Sequence, residues 1–125
     1  YYLNSSGAMQ TGWRWIGNAW YYLNSSGAMQ KGWLLDGSTW YYLNSSGAMQ
    51  KGWQWVGNAW YYLNSSGAML TGWERIGNTW YYMDSSGAMQ TSQWIGDYYV
   101  QADGSMAVNK WIGGYYVGSD GKWRR

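Results

Sequence analysis

Aromatic and polar positions follow one another along this chain in a pattern that repeats every 20 residues. Each repeat has a Trp after a Gly, a second Trp seven residues later and two aromatic residues directly after that. The first Trp series is Trp13, Trp33, Trp53 and Trp73, and the second is Trp20, Trp40, Trp60 and Trp80. A fixed period is typical of repeat proteins, in which one unit is too small to bury its own apolar face. The pattern therefore predicts a stack of small units.

Within each repeat, a two-residue turn separates two short apolar and aromatic runs. The turns are Gly17-Asn18, Gly37-Ser38, Gly57-Asn58 and Gly77-Asn78. Gly followed by Asn or Ser suits the primed turns of a tight β-hairpin, which need positive φ angles. Each repeat is thus predicted to be one hairpin followed by an Asn-Ser-Ser-Gly-Ala-Met loop. The predicted fold class is an all-β solenoid of stacked hairpins.

Counting outward from the turn assigns side chains to two faces, because paired residues share a face and successive residues alternate. One face of the first hairpin carries Trp13, Trp15, Trp20 and Tyr22. The other carries Arg14, Ile16, Tyr21 and Leu23, with Val56 and Leu63 at matching places in a later repeat. We interpret the second face as core and the first as a candidate binding surface.

Several other recurring residues are interpreted as structural. Trp15 and Trp55 are assigned to rim packing, because other repeats have Leu35 and Arg75 in their place. The Gly before each first Trp, at Gly12, Gly32, Gly52 and Gly72, is assigned to close backbone approach between repeats. The Asn-Ser-Ser tripeptides match a glycosylation sequon but are interpreted as turn chemistry. Two roles are open for Met9, Met29, Met49, Met69 and Met89, which either fill gaps or form an apolar wall of a site.

Composition narrows the functions that remain. The chain contains no Cys and no His, so thiolate metal sites and the commonest acid–base group at neutral pH are missing. None of the acidic residues recurs with the repeats; they are Asp36, Glu74, Asp84, Asp97, Asp103 and Asp120. No pair of opposed carboxylates of the kind that glycosidases need is visible. We therefore expect no enzyme activity, no metal and no cofactor.

Aromatic residues make up 22% of the chain, and all of them are Trp or Tyr. These side chains join a large apolar ring to a polar tip, which suits a half-exposed surface that holds a ligand. The net charge of +2 is too small, and the basic residues are too scattered, to predict nucleic-acid binding. No apolar run of about 18 residues predicts a membrane span.

A wall of Trp and Tyr rings without an accompanying carboxylate suits a cation that has no hydrogen bonds to donate, and a quaternary ammonium is such a cation. The ring quadrupoles attract the charge while the methyl groups fill the cage, and choline recognition is an established use of this arrangement. Each ring contributes about 0.5–2 kcal/mol, so a single site is weak. A tandem array gains affinity by binding a multivalent ligand.

The four full units resemble the choline-binding repeats of pneumococcal surface proteins and of pneumococcal and phage lysins. They read TGWRWIGNAWYYLNSSGAMQ, KGWLLDGSTWYYLNSSGAMQ, KGWQWVGNAWYYLNSSGAML and TGWERIGNTWYYMDSSGAMQ. The shared motif is Gly-Trp, a short spacer, Trp-Tyr-Tyr and a loop ending in Gly-x-Met. Tyr1 falls inside a truncated unit, which suggests a piece of a longer protein. We expect residues 1–90 to be tandem choline-binding repeats and residues 91–125 to be divergent capping repeats of the same solenoid.

The resemblance implies a left-handed solenoid that binds choline on teichoic and lipoteichoic acids. Such a module anchors an attached protein to the bacterial cell surface, outside the cell and without a covalent bond. In the family, both Trp of one hairpin wall a site, and the last aromatic of the next Trp-Tyr-Tyr closes it together with a Met. The implied sites are Trp13, Trp20, Tyr42 and Met49; Trp33, Trp40, Tyr62 and Met69; Trp53, Trp60, Tyr82 and Met89; and Trp73, Trp80, Tyr99 and Met106.

Other functions remain as alternatives. A carbohydrate-binding module of the glucan-binding or toxin-repeat type also stacks ligands on aromatic rings, but it would need polar groups beside the rings to bind hydroxyls. A platform for single-stranded nucleic acid fits the rings but not the few basic residues. Lys31, Lys51 and Arg14 either meet teichoic phosphate or are solvated edge charges, and the second interpretation is favoured. The sequence leaves open whether the chain forms a homodimer.

Overall fold

The computed structural model describes residues 9–124, and every regular element in this range is a β-strand. The regular repeats supply β1 (Gly12–Ile16), β2 (Ala19–Leu23), β3 (Gly32–Asp36), β4 (Thr39–Leu43), β5 (Gly52–Val56), β6 (Ala59–Leu63), β7 (Gly72–Ile76) and β8 (Thr79–Met83). The shorter strands that follow are β9 (Gln93–Ile95), β10 (Tyr98–Val100), β11 (Lys110–Ile112), β12 (Tyr115–Val117) and β13 (Trp123–Arg124). Consecutive strands pair as two-stranded sheets, except that β11, β12 and β13 form one three-stranded sheet. The predicted all-β fold of repeated hairpins is confirmed. Residues 9–124 contain no apolar helix of a length that could cross a membrane.

The two-residue turns set the register of the hairpins. Ile16 faces Ala19 across the first turn and Trp13 faces Tyr22, as predicted. The β3–β4 and β7–β8 hairpins pair in the same register. Gly17 and Asn18 both have positive φ angles, 52° and 72°, which is the type I′ geometry that matches the twist of the strands.

The loop after each second strand is closed by its first residue. The side-chain oxygen of Asn24 accepts hydrogen bonds from the backbone N–H groups of Ser26 and Ala28, at 3.0 Å each. The N–H of Gly27 donates to the Asn24 carbonyl at 2.8 Å. The next two repeats make the same bonds. The assignment of Asn-Ser-Ser to turn chemistry is confirmed in these copies, and the copy at 4–6 lies outside the described residues.

The chain divides into two compact units, residues 1–54 with 62–69 and residues 55–61 with 70–125. Each unit has a row of buried side chains from the last position of its second strands. In the first unit the row is Leu23, Leu43 and Leu63, which are 2%, 0% and 0% exposed. In the second unit it is Met83, Val100 and Val117, each with 0% exposure. Leu23 and Leu63 are therefore core residues, as predicted, whereas Ile16 and Val56 are half-buried.

Glycine serves this fold in two ways, and one of them was not predicted. Gly12 has a φ of 77°, and a Cβ built there would meet nothing within 4 Å; the other members of its series behave alike. The prediction of close approach at this series is wrong, and its positive φ is what requires Gly. Close approach occurs instead in the loops. A Cβ on Gly47 would lie 2.7 Å from the Sδ of Met29, and one on Gly67 would lie 2.5 Å from that of Met49. These Met side chains therefore pack on the loop of the following repeat.

We expect Leu43→Ala to lower the free energy of unfolding by about 2–5 kcal/mol, because it leaves a cavity in the buried row of the first unit. Leu35→Ala is the matched control, since it makes the same chemical change in the same hairpin at a side chain that is 51% exposed. Its expected cost is about 0.5 kcal/mol or less. Denaturant unfolding followed by Trp fluorescence measures both, and equal losses would contradict the core assignment.

Candidate functional site

The first Trp of the first unit is held between two Tyr rings. Trp13 packs edge-to-face on its cross-strand partner Tyr22, with ring centroids 5.2 Å apart. On its other side it packs on Tyr41 of the next hairpin, at 4.9 Å and an interplanar angle of 65°. Edge-to-face pairs contribute about 0.5–1.5 kcal/mol beyond the area that they bury. Contacts on both sides therefore fix the orientation of this half-buried indole.

A hydrogen bond that was not predicted adds to this orientation. The indole N–H of Trp13 donates to Oδ2 of Asp36, at the end of β3, over 2.9 Å. The equivalent strand position in the other regular hairpins is aliphatic, with Ile16, Val56 and Ile76. The one acidic residue in that aliphatic series was the sequence signal that could have suggested this contact.

The second unit contains a cavity of about 290 Å³, lined by Trp73, Trp80, Tyr98, Met106 and Asp120. The rings of Trp73 and Tyr98 lie 5.6 Å apart at an interplanar angle of 68°. The backbone N–H of Met106 donates to the Trp80 carbonyl at 2.8 Å, which brings these two side chains to the same wall. The structure thus brings together Trp73, Trp80 and Met106 of the fourth implied site.

The Tyr that lines this cavity is not the one that the resemblance implied. Tyr99 is the cross-strand partner of Trp94 in its own hairpin, and their ring centroids are 5.3 Å apart. Successive residues of a strand point to opposite faces, so Tyr98 points away from Trp94 and reaches Trp73 of the preceding hairpin. We expected the middle Tyr to be a core residue, and it forms part of the wall instead.

In the first unit too, the middle Tyr of the motif contacts the preceding hairpin and the last Tyr does not. Tyr41 contacts Trp13, whereas Tyr42 packs on its own partner Trp33 with centroids 5.0 Å apart. The cause is again cross-strand pairing, which places the last Tyr beside the Trp of its own hairpin. A ligand-binding role for the last Tyr of each motif stays a prediction.

One backbone hydrogen bond sets a Met beside the second Trp. In the first unit, the N–H of Met49 donates to the Trp20 carbonyl and the N–H of Met69 donates to the Trp40 carbonyl. In the second unit, the N–H of Met89 donates to the Trp60 carbonyl. Each bond is 2.8 Å long. The Trp and Met of the first two implied sites are therefore adjacent. Met106, which was predicted only as a residue of the fourth site, lines the cavity and also packs on Gly121.

The residues of the third implied site are described separately, because Trp53 belongs to the first unit and Trp60 to the second. In the first unit, the ring of Trp53 lies 5.1 Å from Tyr62. In the second unit, the ring of Trp60 lies 5.3 Å from that of Trp55. Trp55 is 56% exposed, which agrees with its assignment to the rim.

An ionised carboxylate stands at the edge of the cavity in the second unit. Oδ1 of Asp120 accepts hydrogen bonds from the backbone N–H of Lys122 at 2.9 Å and from Nη2 of Arg124 at 3.1 Å. The Lys122 bond and, after it, the charge of Arg124 lower the pKa of Asp120. A carboxyl with a lowered pKa is ionised at neutral pH. Because Arg124 pairs with this carboxylate, the three rings are what give the cavity a surface that suits a cation.

Comparisons with known proteins agree with this geometry. Family models described as the choline-binding repeat match residues 10–51, 50–94 and 88–123. A model of a cell wall binding repeat matches residues 1–9. No match was found among the curated proteins compared.

Several solved structures are similar to this chain over its whole length. CbpJ from Streptococcus pneumoniae TIGR4 is 52% identical with a TM-score of 0.93, over 99% of this chain and 44% of that chain. Choline binding protein F (CbpF) from Streptococcus pneumoniae is 45% identical with a TM-score of 0.94, over 100% of this chain and 44% of that one. The choline-binding domain of CbpL from the same species is 39% identical with a TM-score of 0.71, over 100% and 82%. The chain spans less than half of the CbpJ and CbpF chains.

We expect Asp36→Val to release the indole N–H of Trp13 and to lower the free energy of unfolding by about 1 kcal/mol, the typical value of one hydrogen bond. Val is the residue that the third hairpin carries at this position, so it suits the strand. The direct readout is the indole N–H resonance of Trp13 in a ¹H–¹⁵N spectrum, which should move on substitution. Asp36→Asn keeps an oxygen acceptor and should resemble the unmodified protein. An unmoved Trp13 resonance in Asp36→Val would contradict this role of Asp36.

Proposed function

The chain belongs to the choline-binding repeat family, and on this premise we propose that it is a non-catalytic module that binds the choline of teichoic and lipoteichoic acids. It uses aromatic cages formed by successive hairpins and so anchors an attached protein to the bacterial cell surface. The observation that carries the proposal is the cavity walled by Trp73, Trp80 and Tyr98.

The chemistry of that cavity favours a quaternary ammonium over an uncharged ligand. Rings attract a cation through their quadrupoles, and Trp does so best. The methyl groups of choline's ammonium need no hydrogen-bond acceptor, so apolar walls can surround them without leaving a donor unsatisfied. The carboxylate of Asp120 at the edge is already paired with Arg124, so the rings carry the preference for a cation.

Each site is expected to be weak, which makes repetition necessary. A dissociation constant of about 1 mM corresponds to about 4 kcal/mol, and three ring contacts of about 1–2 kcal/mol each would supply it. Several such sites on one chain bind a polymer with many choline groups far more tightly than one site does, because later contacts become intramolecular. The resemblance to the family implies that teichoic acids are the polymers bound in this way.

One fact about a relative supports a position at the cell wall. CbpF has a crystal structure in the presence of a peptidoglycan analogue, a tetrasaccharide-pentapeptide. We place the present module outside the cell, held to the wall by non-covalent contacts only.

Two of the acidic residues, Asp84 and Asp103, do not suit a general acid. Asp84 and Asp103 accept hydrogen bonds from the hydroxyls of Ser86 and Ser105, and these bonds lower the pKa of both carboxyls. A general acid in hydrolysis needs a raised pKa instead. These carboxylates act as acceptors that close the loops.

We expect a calorimetric titration with choline to show weak binding at about four sites per chain, the number that the implied groups predict. Trp80→Ala should remove one site, because it removes one wall of the cavity. Trp111→Ala is the matched control, since Trp111 is 67% exposed and does not line that cavity.

Circular dichroism on each variant separates loss of a site from loss of the fold. Equal stoichiometry in Trp80→Ala and the unmodified protein would contradict the role given to this cavity. A chain that releases no heat with choline but binds an oligosaccharide would instead be a carbohydrate-binding module.

A further inference from the structure

The first unit contains a group of side chains that matches the walls of the cavity lined by Trp73 (the Trp73 cavity). Trp13 packs on Tyr41 at an interplanar angle of 65°, close to the 68° between the Trp and Tyr rings of that cavity. The N–H of Met49 donates to the Trp20 carbonyl at 2.8 Å, and the same bond joins the Met and the second Trp of the Trp73 cavity. The equivalent group in the first unit, which we name the Trp13 site, is Trp13, Trp20, Tyr41 and Met49.

A hydrogen bond from a ring to a carboxylate distinguishes the Trp13 site. Oδ2 of Asp36 accepts the indole N–H of Trp13 at 2.9 Å, whereas the indole N–H of Trp73 has no hydrogen-bond partner among the described residues. Asp36 is half-buried. It is also the only acidic residue in the sequence of the first unit, so no other carboxylate of that unit can take its place.

The carboxylates beside these two sites differ in their counter-charges. Asp120, at the edge of the Trp73 cavity, is paired with Arg124 at 3.1 Å, so its negative charge is offset. Within residues 9–124, Asp36 forms no ion pair, and its hydrogen bond goes to a neutral indole. The charge of Asp36 is therefore not compensated, and because the side chain is half-buried it acts through a lower effective dielectric than a fully exposed charge does.

This charge favours a bound cation in two ways. An indole that donates to an anion is polarised by the bond, so the face of the Trp13 ring carries a more negative potential. The carboxylate also attracts the cation directly across the ring. The aliphatic residues that the other regular hairpins carry at this position supply neither effect; they are Ile16, Val56 and Ile76.

We propose that Asp36 is a positioning residue that orients and polarises the indole of Trp13 and so makes the Trp13 site bind choline more tightly than the Trp73 cavity does. The inference rests on the proposed function, since the ligand is the choline of the same teichoic acid polymers. The tighter site holds one choline group of a polymer, and the weaker site then binds another group of the same polymer as an intramolecular step.

The test is a titration of the full chain with choline, followed through the indole N–H resonances in ¹H–¹⁵N spectra. Trp13 and Trp20 report the dissociation constant of one site, and Trp73 and Trp80 report that of the other. We expect the Trp13 site to bind choline about fivefold more tightly, which corresponds to about 1 kcal/mol. Raising the salt concentration to about 1 M, where the Debye length is about 3 Å, should reduce this difference, because the contribution of Asp36 is electrostatic.

Asp36→Asn keeps an oxygen that can accept the indole N–H and removes only the charge. It should weaken choline binding at the Trp13 site about fivefold at low salt and leave binding at the Trp73 cavity unchanged. Asp84→Asn is the matched control, since it makes the same chemical change at a loop position where the preceding repeats carry Asn. It should leave choline binding at the Trp13 site unchanged.

Three outcomes would overturn the proposal: choline binding at the Trp13 site that is no tighter than at the Trp73 cavity, binding that Asp36→Asn does not weaken, or a loss in Asp36→Asn that is as large at high salt as at low salt. The first is measured on the unmodified chain, so it does not depend on the folding of a variant. Choline shifts at both sites without an effect of Asp36 would reject only the role of Asp36. An absence of choline shifts at both sites would reject the function proposed above.

Discussion

The candidate sites of both units depend on one backbone hydrogen bond between successive repeats. An N–H group just after a loop donates to the carbonyl of the second Trp of an earlier hairpin, as from Met49 to Trp20 and from Met106 to Trp80. The bond sets the position of one repeat on another in each unit, and with it the distance between the Trp and Met walls. Its donor and its acceptor are both satisfied inside the protein. The cavities are a consequence of this spacing.

Core and site use different residues, which lets each be suited to its task. Aliphatic side chains such as Leu43 and Val117 are fully buried, and the removal of their apolar surface from water stabilises the fold. The second Trp of each regular hairpin is not part of this core and keeps about 40% of its surface exposed, as Trp40 does. A ring held by contacts on one side and open on the other can accept a cation at little cost in conformational freedom.

The sequence predicted the geometry inside a hairpin better than the geometry between hairpins. The turn Gly17-Asn18 and the pairing of Trp13 with Tyr22 follow from local φ angles and strand alternation, and both are confirmed. Which Tyr meets the preceding hairpin depends on how one hairpin lies on another, and the period of the repeat carries no information about that. The resemblance implied Tyr99 for a wall that Tyr98 forms. The role of Gly12 was predicted wrongly for a related reason. Close approach and a positive φ angle both require Gly, and only the structure distinguishes the two.

Because the bond that spaces the repeats is made by the backbone, the side chains at its two ends can change without loss of the architecture. The last hairpins illustrate this. Strands shorten to three residues and the second Trp is absent, yet the N–H of Trp123 still reaches the carbonyl of Asp97 at 2.8 Å. Substitution at these two positions alters the walls of a cavity while its size stays near 300 Å³. A fold of this kind can therefore vary the chemistry of its sites one repeat at a time, because the backbone bond that spaces the repeats is kept.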